Sequence, residues 1–176
     1  LLHQLAPHSP DGSILRGQVT AALGEHDRAA VFLEQALEID PESAFARVRL
    51  AMVHITLAGE GADEASTAGH VQSAQRLLAE ARDLDPESKM AALWQGILDW
   101  EVLNKWDSAK QWLDHACTID PRFALAHLAV GQMHLNAGEL PRRAELGDLL
   151  GGILGHEATH EASSLGNPSS VGSMSR

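Results

Sequence analysis

The sequence predicts an all-α chain built from stacked helical hairpins, and three observations lead there. Apolar residues make up 44% of the 176, yet aromatics are only 4% and Tyr is absent. A supply rich in Ala and Leu but poor in β-branched and aromatic residues suits helices rather than sheets. Three segments close in the same way, LEQALEIDP at 33–41, LLAEARDLDP at 77–86 and WLDHACTIDP at 112–121. Each is an amphipathic helix end run into Asp-Pro, where proline can no longer continue the helix and turns its predecessor away from the α region. Small residues then recur in phase with those prolines. Ala29, Ala74 and Ala109 precede them by 12, Ala36, Ala81 and Ala116 precede them by 5, and Ala51, Gly96 and Gly131 follow them by 10.

The elements follow in order from this register. Pro7 to Pro41 is 34 residues, Pro41 to Pro86 is 45, which is one period plus 11, and Pro86 to Pro121 is 35. Residues 1–9, opening LLHQLAP, read as the end of a preceding, truncated repeat, with Gly17 ten residues beyond Pro7. A first unit at 10–43 pairs helices over 10–24 and 27–40. A second at 44–88 pairs 43–57 with 70–85. Its eleven extra residues fall in AGEGADEASTAGH, where Gly, acidic and Ser/Thr residues predict an exposed, mobile loop over 58–69. The third, at 89–123, pairs 88–103 with 106–120. A fourth first helix over 122–137 begins the stretch 124–160. There Leu146, Leu149, Leu150, Ile153 and Leu154 recur at helical spacing and suit a capping helix over the solenoid's last face. Residues 161–176 are rich in Ser and Gly and read as a flexible tail.

A 34-residue period of helix pairs with this Gly/Ala…Ala…Ala…Pro pattern resembles the tetratricopeptide repeat family in its bacterial style. The resemblance implies a right-handed α-solenoid whose first helices line a concave groove. It also marks departures. Where the family often carries an aromatic, at the eleventh repeat position, stand Thr20, His54, Asp99 and His134. Bulk expected at the fourth position has moved one place on, to Ile14, Val48, Leu93 and Leu128. Groove-facing positions implied by the resemblance hold Val48, Met52, Leu93, Ile97, Trp100 and Leu128, with Ile14, Ile55, Leu125 and Leu135 in the same pattern. Phe45, Arg49, Met90, Trp94 and Gln132 complete the candidate contact set. Met and Trp on such a surface suit an amphipathic helix or an extended apolar peptide. Members that grip the C-terminal carboxylate of heat-shock chaperones carry basic and amide residues where this chain has Ile14, Gln18, Arg49, Met90 and Trp94. Only one of these is basic, so no carboxylate clamp is expected.

Charge and chemistry narrow the function. A net charge of −11 argues against nucleic acid, which asks for clustered Lys and Arg. No apolar run approaches the roughly 20 residues that span a bilayer, and the first ten residues lack the basic start of a signal peptide. A single Cys117 leaves both cytoplasm and periplasm open. The stretch GHEATH spells His-Glu-x-x-His, so His156 and His160 could ligate zinc with Glu157 as base. A third ligand is missing: only Glu161 follows as a carboxylate, and the four glycines at 147, 151, 152 and 155 cost about 1 kcal/mol each in a helix. The expectation is therefore a non-enzymatic scaffold without cofactor, binding another protein or peptide. Secretion, pilus or envelope assembly is the setting the resemblance implies. The alternatives are a homo-oligomer formed by exchanging the C-terminal helix, and a zinc hydrolase built on residues 156–160.

Overall fold

A computed structural model describes residues 9–60 and 63–136. Seven helices make up the described part, with no strand among them: α1 Pro10–Ala22, α2 His26–Ile39, α3 Ala44–Glu60, α4 Glu64–Leu84, α5 Lys89–Ile97, α6 Trp106–Ile119 and α7 Ala124–Asn136. Helices pack in chain order as hairpins α1–α2, α3–α4 and α5–α6, each second helix then meeting the next first helix. The first helices also touch their successors, α1 to α3, α3 to α5 and α5 to α7, so the hairpins form a stacked row.

Asp-Pro performs the same local work three times. Asp40, Asp85 and Asp120 leave the helix in extended geometry, with ψ of 88°, 88° and 99°, and donate their N–H to Ala36, Ala81 and Ala116. Three residues later the N–H of Ser43, Ser88 and Phe123 returns to the aspartate carbonyl, closing a tight turn. Ser43 and Ser88 then cap the next helix by accepting from Ala46 and Ala91 at 3.2 and 3.4 Å. One tetrapeptide stops one helix, reverses the chain and starts another.

Small residues set the helix spacing. Ala29, Ala36, Ala74, Ala81, Ala109 and Ala116 are fully buried, as are Leu78 and Leu113. At Gly17 an added Cβ would stand 2.7 Å from Leu33 Cγ, and at Gly96 it would stand 2.7 Å from Leu113 Cγ. Close approach requires glycine at both. Ile14, Val48 and Ile55 join one core that runs from α1 into α5, while Leu93 and Trp100 join a second over α5, α6 and α7.

The insertion in the second unit differs from the loop expected over 58–69. Helix α3 runs on to Glu60, and α4 begins at Glu64 behind an Asp63 cap that accepts from the Ser66 amide at 2.8 Å. Alanines 58, 65 and 68 favour helix, and Glu64 places negative charge at the positive end of α4. The extra residues lengthen the hairpin to helices of 17 and 21 residues, against 13 and 14 in the first unit.

The third unit's one surplus residue has a visible place too. Helix α5 passes into a π turn, Leu98–Val102, where Leu103 donates five residues back to Leu98 at 3.1 Å. A π turn is how an α-helix absorbs one inserted residue. Beyond it Asn104 holds φ of 52°, the place that Gly24 occupies at φ 79° in the first hairpin, shifted by that one residue. The single continuous helix expected over 88–103 is thus an α-helix with a π end. The proposed capping helix, the tail and residues 156–160 lie outside the described residues, as do residues 1–8.

Candidate functional site: the row of first helices

The surface formed by α1, α3, α5 and α7 holds the candidate contact residues, but not all are available. Val48 and Leu93 are each 2% exposed and Trp100 is 6% exposed. These three belong to the core rather than to a contact surface, a correction that applies equally to Ile14 and Ile55. Their side chains fill the two cores between neighbouring helices instead of facing solvent. Phe45, Leu128 and Gln132 are exposed; Arg49, Met52, Met90, Trp94 and Ile97 are half-buried.

A cavity of about 270 Å³ opens between α1, α2 and α3. Arg49 and Met52 stand on one wall with Val53, facing Gln18, Ala21 and Ala22, over a floor of Gly17 and Leu33. Gln18 stands in the expected groove pattern, whereas Gly17, Ala21 and Ala22 of the same wall were missed by reading bulk and charge alone. The signal was present in the small side chains at 17, 21 and 22, which leave room where larger ones would fill the gap between first helices.

Arg49 differs from its neighbours. Arg47 bonds Glu80 at 3.0 Å, Arg76 bonds the same carboxylate at 2.9 Å, and Arg28 pairs with Glu25. Arg49 instead lies 5.0 Å over the Phe45 ring and sends one N–H to Met52 Sδ at 3.7 Å. Its buried Nε has no partner among the described residues. Trp94 Nε1 is likewise buried without a partner. Both side chains stand eight residues after their Asp-Pro proline, on adjacent first helices. A buried donor left unpaired costs about 1–3 kcal/mol.

A second polar group is fully engaged. Asp99, 4% exposed, accepts from Gln95 Nε2 at 3.0 Å and from the Ser108 hydroxyl, while Gln95 accepts from Arg82 at 3.0 Å. Arg82 lies 4.5 Å over Trp112. Burial draws the Arg82 guanidinium below its usual range, with Asp83 and Asp99 opposing the shift. These contacts tie α4, α5 and α6 together. Asp on the buried face of a helix was their only sequence signal.

Among the described residues no three His, Cys, Asp or Glu stand together as metal ligands, and no helix is long and apolar enough to cross a membrane. No family model matches the sequence, and no curated protein matches it either. Solved structures do. A thermophilic TPR protein of Thermus thermophilus superposes with a TM-score of 0.73 at 18% identity, over 90% of this chain and 82% of that one. The MamA protein of Desulfovibrio magneticus gives 0.59 at 16%, over 91% and 80%. The first TPR of Spaghetti, solved with an HSP90 peptide, gives 0.59 at 14%, over 76% and 100%. With its hairpins stacked in order and its stops and small residues in phase, the chain folds as a tetratricopeptide-repeat solenoid.

Proposed function

We propose that this protein is a non-enzymatic interaction scaffold that takes a peptide segment of another protein along its first helices. The observation that carries this reading is the pair of unpartnered buried donors, Arg49 Nε and Trp94 Nε1, set at one register on adjacent helices. Half-buried Met52, Met90 and Ile97 stand about one helical turn from them in the sequence, and exposed Phe45 lies under the Arg49 guanidinium. A segment with apolar side chains and an in-line acceptor, whether backbone carbonyl or carboxylate, would satisfy both features. That the structurally similar Spaghetti repeat was solved with a peptide agrees with this use of the fold. Assembly of a secretion, pilus or envelope machine is the setting we carry forward from the repeat resemblance.

The test is selection of binders from a random peptide display library against the intact chain, followed by affinity measurement on Arg49→Ala and Trp94→Phe. The second variant keeps an apolar ring and deletes only the N–H. Each should weaken the selected peptide about fivefold to tenfold, the worth of one hydrogen bond into a buried site. Unchanged affinities in both folded variants would refute the reading.

The exposed Leu125, Leu128 and Leu135 of α7 support a second reading, self-association through that face. Light scattering of the intact chain against one ending at 140 separates it: a loss of mass beyond the deleted residues is expected if the C-terminal segment is exchanged.

A further inference from the structure

We infer that His54 of α3 and His70 of α4 form a proton-sensitive latch, holding the lengthened end of the second hairpin closed at neutral pH and releasing it in acid. The two antiparallel helices are joined by Arg47 to Glu80 at 3.0 Å and by His54 Nδ1 to His70 Nδ1 at 3.0 Å, with Ala51 and Ala74 buried in the same core. Beyond the histidine contact α3 buries only Ile55, next to His54, and Ala58, with Leu57 half-buried, and residues 64–69 of α4 are exposed apart from partly covered Thr67. So little apolar packing makes the overhang depend on the contact at its base.

The geometry of that contact defines what it can bind. The ring centroids lie 5.3 Å apart, which is the 3.0 Å nitrogen separation plus one ring radius from each imidazole. Both nitrogens therefore lie near the line between the rings, an arrangement for N–H···N hydrogen bonding. A metal ion stands about 2.0–2.1 Å from each imidazole nitrogen, more than half the present gap, so it could not enter on that line without parting the rings.

One ring must present Nδ1–H and the other a bare Nδ1. A first proton goes to the far Nε2 of the donor ring and strengthens the bond by charge assistance. A second proton must go to the accepting Nδ1, and two cationic N–H groups then face each other. His54 is assigned as the acceptor: burial first, then the positive fields of His70 and Arg76, lower its pKa below the ordinary 6.5. Of the charged groups on the other helices packed against α3, His26 of α2 meets Glu60 at the tip of the overhang at 3.5 Å, Arg16 of α1 bonds Ser13 and covers Phe32, and Asp99 is held by Gln95 and Ser108.

Imidazole NMR titration of the intact chain in the presence of a chelator, joined to amide hydrogen exchange, tests the latch. His54 should titrate below the ordinary imidazole range, and amides of 55–60 and 64–70 should lose protection over the same interval while those of α6 keep theirs. His70→Gln, which keeps a polar partner that does not titrate, should abolish the acid-linked loss. Ordinary titration of both rings would overturn the inference, as would the same loss of protection in His70→Gln; if that variant does not fold, the titration of the unaltered protein decides alone. Movement of both ring signals with one equivalent of zinc, chelator omitted, would replace the proton with a metal. Helix α3 also carries Arg49 and Met52, so weaker peptide binding in acid is expected where the proposed function holds; the exchange measurement reads the latch without any ligand.

Discussion

Replacing Gly96 with alanine tests the claim that glycine sets the distance between paired helices. The added Cβ would stand 2.7 Å from Leu113 Cγ, 2.8 Å from Leu113 Cδ2 and 3.2 Å from the Ala109 carbonyl oxygen. Leu113 is fully buried, and the carbonyl belongs to a helix backbone, so neither neighbour can swing into solvent. Overpacking of this kind costs about 1–3 kcal/mol. Removing glycine from a helix returns about 1 kcal/mol of propensity. The net expectation is a loss of roughly 0–2 kcal/mol, or a fall in Tm of up to about 8 °C at the 2–4 °C per kcal/mol typical of a chain this size. Gly69 supplies the control, since an added Cβ in that exposed part of α4 meets nothing within 4 Å among the described residues. Gly69→Ala should raise stability by up to about 1 kcal/mol. Urea unfolding followed by circular dichroism measures both, with unchanged m-values required so that the midpoints can be compared. If Gly96→Ala proved as stable as Gly69→Ala, the close-approach argument would be refuted.

Asp99→Ala deletes the acceptor shared by Gln95 and Ser108, and the loss should be about 2–3 kcal/mol by urea midpoint. Gly24→Ala places a Cβ at φ 79° and should cost about 1 kcal/mol, whereas Asn104→Gly, at φ 52°, should be neutral or slightly stabilising by thermal melt. Because His54 has a lowered folded-state pKa, the unfolded chain binds its proton more readily. The stability it contributes is complete above the ordinary 6.5 and is lost as pH falls through the folded value. Urea midpoints at pH 7.5 and 5.5 should therefore draw apart in the unaltered protein and draw together in His54→Gln.

Which features could be read from the sequence depended on whether one residue or a relation between residues decided the outcome. The Asp-Pro stops were legible because proline acts locally, and Asp40, Asp85 and Asp120 end their helices in the same extended form. The alanines and glycines in phase with them were legible because a stacked hairpin tolerates only small side chains at its closest approach. The Ala58–His70 segment was not. Gly59 and Gly69 read as loop, but helix had only to extend an existing hairpin at those positions, which costs far less than starting a new helix.

The 35-residue spacing of the third unit shows a subtler limit. Counting reveals a surplus residue, yet counting has no preference between a longer turn and a π turn in α5. The structure places it at Leu98–Val102, where Asp99 and Trp100 turn inward together. A simple extension of the turn would leave α5 with an unbroken α register to its end. The π turn shifts that register at its last residues, just where Asp99 accepts from Gln95 on its own helix and from Ser108 on the next. An aspartate in place of the aromatic that such repeats often carry is compatible with burial because both its oxygens find donors in this shifted register. The odd residue count and the odd residue type are two aspects of one local solution. Deleting one residue within 101–103 while keeping Asp99 should then destabilise the chain more than Asp99→Ala alone, because loss of the π turn returns the end of α5 to an α register and withdraws both Asp99 and buried Trp100 from their present setting. If the deletion proved milder than the substitution, the coupling between count and type would be wrong.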